Sequence, residues 1–215
     1  MRQMPANSVD FILTDPPYLV NYRDRSGRSI QNGLKADWLK PAMREAYRVL
    51  KPNRVAVMFY GWIKVDEFLE SWKAAGFQPV GHIVFRKSYS SKSRFFSYQH
   101  EQAFLLAKGR PPLPKQPLAD VMDMPLAATS CIRLRSQFRR WFPSFAASLF
   151  KGELVLDPFA GSGSSCAAAL LTGRKYLGAE LDATYFNHAS ARLERVKERI
   201  ARKKRSSHGL IPTMR

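Results

Sequence analysis

Residues 11–20 read FILTDPPYLV. The apolar start has the make-up of a buried strand, and two consecutive prolines end it. Proline has no N–H and cannot extend a sheet ladder, so the strand has to stop at this point. Both prolines also hold φ at about −65°, which stiffens the turn that follows. One carboxylate (Asp15), one backbone carbonyl (Pro16) and one aromatic ring (Tyr18) are therefore set on a rigid corner at a strand end.

Hydrophobic periodicity organises the rest. SVDFILT, residues 8–14, reads as a strand, and the polar stretch 19–36 with Gly27 and Gly33 reads as a long loop. Leu39, Met43, Ala46 and Leu50 recur at helical spacing, and Pro52 closes that helix. RVAVMFY predicts a strand; Val65, Phe68, Leu69 and Trp72 predict a helix stopped by Gly76. FQPVGHIVF and EQAFLLA predict two more strands, and the five prolines within 109–125 a loop or linker. Residues 131–151 hold five basic side chains and no acidic one, and are expected to be partly helical. ELVLD predicts a strand running into PFAGSG, Ser164 to Leu171 a small-residue helix, and KYLGAEL a further strand. Phe186, Ala189, Leu193, Val196 and Ile200 form one stripe on a last helix, with ARKKRSSHG as a frayed basic tail. Strands alternating with helices argue for an α/β domain with a largely parallel sheet, which binds ligands at the carboxyl ends of its strands. Both unusual corners, after residue 14 and after residue 156, lie at such ends.

Charge and cysteine content narrow the partners. The chain carries 35 Lys and Arg against 17 Asp and Glu, a net charge of +18, which favours a polyanion such as nucleic acid. Cys131 and Cys166 stand far apart, with no C-x-x-C pair or Cys/His cluster, so neither zinc nor a disulfide framework is expected. MRQMPANSVD has no apolar core of a secretory signal, and no apolar run approaches the ~20 residues of a membrane span. A cytoplasmic location is the expectation.

The second corner, LDPFAGSG, has the order strand, tight turn, helix. Gly161 and Gly163 permit positive φ and close approach of a ligand, and the helix behind them aims N–H groups outward. A plain strand-to-helix turn has the same glycine spacing. Glu180 ends the next strand, 17 residues after Gly163. An acidic residue about 20 residues on grips ribose hydroxyls in dinucleotide folds, and a carboxylate can accept from two vicinal hydroxyls. Glu180 and Asp182 are also both candidates to cap the last helix; Asp182 is preferred as the cap and Glu180 as the ribose ligand. No G-x-x-x-x-G-K-[ST] occurs, and Cys166 stands where a third glycine of G-x-G-x-x-G would be, so the expected ligand is a nucleoside without phosphate.

Together, TDPPY and DPFAGSG resemble the DNA adenine-N6/cytosine-N4 amino-methyltransferases that use S-adenosylmethionine. The catalytic D-P-P-Y precedes the glycines by about 140 residues, as in the circularly permuted beta group. YQHEQAFLLAKG is similar to the strand before that group's target-recognition region. The resemblance spans residues 4 to about 195 and implies a Rossmann-like fold, mostly parallel, with helices on both faces. It divides one domain, 1–205, into a catalytic half 1–108, a target-recognition loop or linker 109–130 and a cofactor-binding half 131–205, with a basic tail 206–215. It implies that Asp15 and the carbonyl of Pro16 accept the two protons of a base's amino group, that Pro17 holds the carbonyl rigid and that Tyr18 stacks on the base. Asp157, Phe159, Gly161, Gly163 and Glu180 would hold the methionine and ribose parts of the cofactor. No metal is implied.

The chemistry agrees with these roles. The lone pair of an aromatic amine is delocalised into the ring, so the amine is a poor nucleophile. Two acceptors on its N–H groups draw the nitrogen toward tetrahedral geometry, and in-line positioning supplies much of the rate. Asp15 stabilises the positive charge that develops. A base inside double-stranded DNA cannot reach such a corner, so it must be flipped out, at a cost of a few kcal/mol. D-P-P-Y resembles the adenine-N6 members more than the cytosine-N4 ones. Arg86, Lys87, Lys92 and Arg94 in RKSYSSKSR are the candidate DNA contacts, with NYRDRSGRS and region 109–127 as further ones.

Two departures bear on the cofactor. The family usually has a strand with a Gly-Asp step before a segment like MPANSVD, so the expected sheet is short by one N-terminal strand. The usual H-P-x-x-K-P segment is replaced within 131–150 by arginines and Trp141. Other readings stay open: cytosine-N4 methylation, an inactive remnant that binds DNA by charge alone, and methylation of RNA or a protein amide.

Overall fold

The computed structural model describes residues 1–19, 36–92, 95–124 and 152–208. Residues 20–35 of the expected loop 19–36, including NYRDRSGRS, the segment 131–150 and the chain beyond 208 lie outside the described residues.

Seven strands form one sheet. They are β1 (Phe11–Thr14), β2 (Arg54–Phe59), β3 (Gln78–Lys92), β4 (Ser97–Lys108), β5 (Val121–Met124), β6 (Leu154–Asp157) and β7 (Lys175–Gly178), in the order β5-β3-β4-β2-β1-β6-β7. Only β4 runs against its neighbours; β1 pairs in parallel with β2 and β6, β6 with β7, and β3 with β5. Four α-helices are described, α1 (Leu39–Val49), α2 (Val65–Ala75), α3 (Ser164–Leu171) and α4 (Ala183–His208), with a short 3-10 turn at Trp62–Lys64.

Helices on both faces explain why β1 is buried throughout. Ile12 packs in a cluster with Leu39, Met43 and Ala46 of α1 and Phe68 and Trp72 of α2. Phe11 and Leu13, one step out of phase, pack on the opposite face with Ala168 and Ala169 of α3. All four β1 residues are buried, as expected of a central parallel strand covered twice. Burial of side chains such as Trp72 and Phe68 contributes roughly 1.5–3 kcal/mol each. The Lys108 ammonium ends α1 by donating to the carbonyls of Tyr47 (2.7 Å) and Leu50 (2.6 Å), cations being favoured at a helix carboxyl end.

Three expectations change. The strands expected at FQPVGHIVF and EQAFLLA are longer and form one antiparallel hairpin. The proline-rich stretch contains β5, a four-residue edge strand held by pairing Val84–Lys87 with Val121–Met124, which local sequence does not signal. In α4 only Ala189 and Val196 of the expected stripe are buried; Phe186 is 55% exposed, close to Leu181 in sequence at 83%. That helix also runs through His208, past the expected fraying, because Ala, Arg and Lys sustain it. No described helix is long and apolar enough to cross a membrane.

The chain leaves β1 for β2 on one side and leaves β6 for β7 on the other. The carboxyl ends of β1 and β6 therefore face the crevice that such a reversal of strand order opens.

Candidate active site

The two corners are neighbours. Phe11 pairs with Val155 and Ile12 with Leu156, so Asp15 follows β1 where the glycine turn follows β6. A buried hydrogen bond joins them: Thr14 Oγ1 donates to Asp157 Oδ1 at 2.7 Å. The same oxygen accepts the Phe159 N–H at 3.1 Å, and Oδ2 accepts the Ser165 hydroxyl. Burial pushes the Asp157 carboxyl above its ordinary range, and these three donors oppose that lift. Asp157 thus fastens strand to strand and turn to helix, with both of its oxygens engaged by the chain.

At the first corner Pro16 is buried and Tyr18 half-buried, while Asp15 keeps solvent contact. Desolvation by the surrounding protein pushes the Asp15 carboxyl up to about 7. The Tyr18 hydroxyl donates to it and works the other way; the charges of Asp157 and Glu101 add to the lift. Gly61, just past β2, closes the corner from the side. A methyl group on Gly61 would stand 2.7 Å from Tyr18 Cβ, so only glycine lets β2 approach this closely.

Two residues that the sequence reading left without a site role, or gave a different one, meet here. Lys87 is buried, and its Nζ lies 2.8 Å from Glu101 of β4. The Glu101 charge reaches both Asp15 and Tyr18. Because β3 continues past Phe85, its alternation turns Phe85 and Lys87 inward and Arg86 outward, where Arg86 pairs with Asp123 at 2.6 Å. Strand period is the signal that could have found this, had the strand been carried beyond residue 85. Lys92 lies in β3 with its side chain outside the description, and Arg94 lies outside the described residues.

The glycine loop is firmly held. Gly161 (φ +50°) donates its N–H to Glu180 Oε2 at 2.8 Å, and Glu180 Oε1 accepts the Asp182 N–H at 2.8 Å. Asp182 Oδ1 accepts the Tyr185 N–H at 2.9 Å, so the helix cap belongs to Asp182 and leaves Glu180 half-buried beside the loop. Gly163 (φ +76°) presses on α4, where a Cβ would meet that of Ala189 at 2.9 Å. Arg192, unmarked in the sequence, clamps the turn through the Ser162 carbonyl (2.6 Å) and the hydroxyls of Ser162 and Ser164 (each 2.9 Å). Phe159 meets Trp38 edge to face at 5.0 Å. A Cβ on Gly161 would touch nothing within 4 Å, so open space lies beside the loop. Cys166 packs under Gly178, and burial pushes its thiol up to about 12, in keeping with a packing role.

Asp15, Asp157, Glu101 and Glu180 bring four carboxyl groups to this crevice in a chain of net charge +18; burial lifts Asp15 and Asp157 toward the neutral form, and Lys87 pairs with Glu101. Carboxyl groups so placed accept hydrogen bonds and can stabilise positive charge that develops during a reaction. Among the described residues no group of His, Cys, Asp and Glu could hold a metal ion.

Comparison with known proteins agrees with this geometry. A family profile described as DNA methylase matches residues 9–141 and 145–191. YubD of Escherichia coli (strain K12) is 48% identical over 197 residues, which cover 92% of this chain and 87% of that protein. The DNA adenine methyltransferase YhdJ of the same organism is 24% identical over 90% of this chain and 79% of its own length. Among solved structures, TTHA0409 from Thermus thermophilus, in complex with S-adenosyl-L-methionine, superposes with a TM-score of 0.67 at 22% identity, covering 91% of this chain and 89% of that one. With a strand-end D-P-P-Y tied to a glycine-rich turn, and a profile spanning most of its length, the chain belongs to the N6/N4 DNA methylase family.

Proposed function

We propose that this chain transfers a methyl group from S-adenosylmethionine to the N6 amino group of adenine in a base flipped out of double-stranded DNA. The observation that carries the reading is the meeting of the two corners through the Thr14–Asp157 hydrogen bond. It sets Asp15 beside a turn with open space at Gly161 and a half-buried carboxylate at Glu180. Those features fit a nucleoside cofactor: Gly161 and Gly163 shape the cradle, Phe159 lines it, and Glu180 offers acceptor capacity to ribose hydroxyls. When bound, the cofactor supplies an electrophilic methyl group on a positively charged sulfur.

Asp15 accepts one amino proton and the Pro16 carbonyl the other; Pro17 keeps that carbonyl in place. A carboxyl lifted toward neutrality also suits Asp15 to take up the proton that the methylated amine must lose. Tyr18, held against Gly61, stacks on the base. Asp157 acts by fastening the two corners together. Arg86, Lys92 and Arg94 contact phosphates, and Lys87 acts by holding Glu101 beside the base site. Adenine is preferred over cytosine because the corner reads Asp-Pro-Pro-Tyr and because YhdJ, over most of its length a relative, is an adenine methyltransferase.

The test is to sequence DNA from cells expressing this chain, or its Asp15→Ala variant, by a method that distinguishes modified bases. N6-methyladenine at one recurring sequence, lost in the variant, is the expected result. N4-methylcytosine would overturn the choice of base, and unmodified DNA would overturn the activity.

A further inference from the structure

We propose that Phe95 and Phe96, at the tip of the β3–β4 hairpin, form a wedge that enters the base stack of double-stranded DNA where the target nucleotide has been extruded. The proposal rests on the reading of the Asp15 corner as the receiver of a flipped base.

The register of the sheet makes the hairpin an arm. β2 pairs with β4 from Arg54↔Lys108 to Phe59↔Ala103. The six residues 97–102 of β4 therefore extend past the carboxyl end of β2; β5 flanks the hairpin as far as Lys87, beside the Arg86↔His100 pair, so residues 97–99 reach beyond the sheet by about 10 Å at ~3.4 Å per residue. β1 runs parallel to β2, so the arm projects from the end of the sheet that bears Asp15. Side chains entering either groove of a duplex have about 7.5–8.5 Å to cross before reaching the stack, within the length of such an arm.

The tip is built of aromatic rings left in water. Phe95 is 88% exposed and Phe96 70%, and nearby Trp62 and Ile63 are 54% and 59% exposed. They continue a row that starts at the catalytic corner. Gly61 touches Tyr18, Trp62 follows it, the Trp62 and Tyr98 rings lie 5.8 Å apart, and Tyr98 lies 6.4 Å from Phe96. Glu101, three residues beyond Tyr98 on the same strand, acts electrostatically on Asp15 and Tyr18. Apolar side chains set between base steps unstack them and hold the duplex open, which offsets part of the cost of extruding a base.

Charge selects DNA as the occupant. Arg86 and Lys87 are paired with Asp123 and Glu101, but Lys92 and Arg94 flank the tip in sequence and no acidic residue occurs from Arg86 to His100, so phosphates beside the tip are attracted to it. A second copy of the chain would bring +18 against +18, with basic arm facing basic arm.

The test compares the wild type with the Phe95→Ala, Phe96→Ala double variant on two synthetic duplexes that contain the modified sequence found by the sequencing experiment. In one the target base is paired; in the other it is mispaired and already loosened from the stack. The double variant should lose about ten-fold or more in methylation rate on the paired duplex and return to within about three-fold of wild type on the mispaired one. A Phe95→Leu, Phe96→Leu variant, still apolar, should keep most of the paired-duplex rate. Equal losses on both duplexes, an unchanged rate on the paired duplex, or a change in oligomeric state accompanying the loss would each overturn the wedge. If the wild type transfers no methyl group to either duplex, the methyltransferase reading fails and the wedge fails with it.

Discussion

Replacing Thr14 by Val isolates the hydrogen bond that joins the two corners. Thr14 is 2% exposed and Asp157 4%, and valine keeps the volume, so no cavity opens and only the hydroxyl is lost. The Asp157 carboxylate keeps the Phe159 N–H and the Ser165 hydroxyl but loses a donor at 2.7 Å. Removing a buried hydrogen bond to a charged group costs about 1.5–3 kcal/mol. With a urea dependence of roughly 2 kcal/mol per molar, the unfolding midpoint should fall by about 1 M. The pH dependence follows from the same bond. Burial already raises the Asp157 carboxyl above its ordinary value, and losing a donor to its charged form raises it further. A raised carboxyl makes the native state bind protons more tightly than the unfolded chain, so stability declines as pH rises through the folded value. The variant, raised more, declines more, and its deficit against wild type should be larger at about pH 8 than at about pH 5. Urea unfolding followed by tryptophan fluorescence at both pH values measures this. A wild-type midpoint at pH 8, or a deficit larger at pH 5, would refute the role given to the bond.

Asp15, pushed up to about 7, is predicted to weaken the fold progressively as pH rises from about 4 to about 7. Thermal unfolding of Asp15→Asn should show a gain over wild type near zero at about pH 4, growing to a plateau above about pH 7, while methyl transfer is lost throughout. Gly61→Ala should crowd Tyr18, whose Cβ would lie 2.7 Å away, and reduce the methylation rate far more than cofactor affinity; calorimetry and single-turnover rates separate the two. Gly163→Ala, which combines left-handed backbone with contact at Ala189, should destabilise by about 2 kcal/mol or more, and Gly161→Ala, with free space, by about 1 kcal/mol. Gly161→Ala should nevertheless weaken S-adenosylmethionine binding measured by calorimetry, since its methyl group would occupy the cradle.

Much of this was legible in the chain because it depends on local rules. Two prolines end β1, a glycine with φ of +104° ends α2, and the 3.6-residue period marks α1 and α2. What was missed depends on partners distant in sequence. β5 exists only because β3 offers an edge, Lys87 turns inward only because β3 continues past Phe85, and Arg192 reaches the glycine turn only when α4 lies across α3. Phe186 shows the converse, a helical period that predicts burial on a face where the described structure leaves the ring in water.

The sequence by itself determined the two corners, their residue types, their order along the chain and the basic character that suits a polyanion, because proline, glycine and charge act where they stand. Tertiary structure alone decided that the corners meet. Residues 143 apart share a hydrogen bond because β1 and β6 are adjacent and parallel, and register, not composition, sets which strand ends face one crevice.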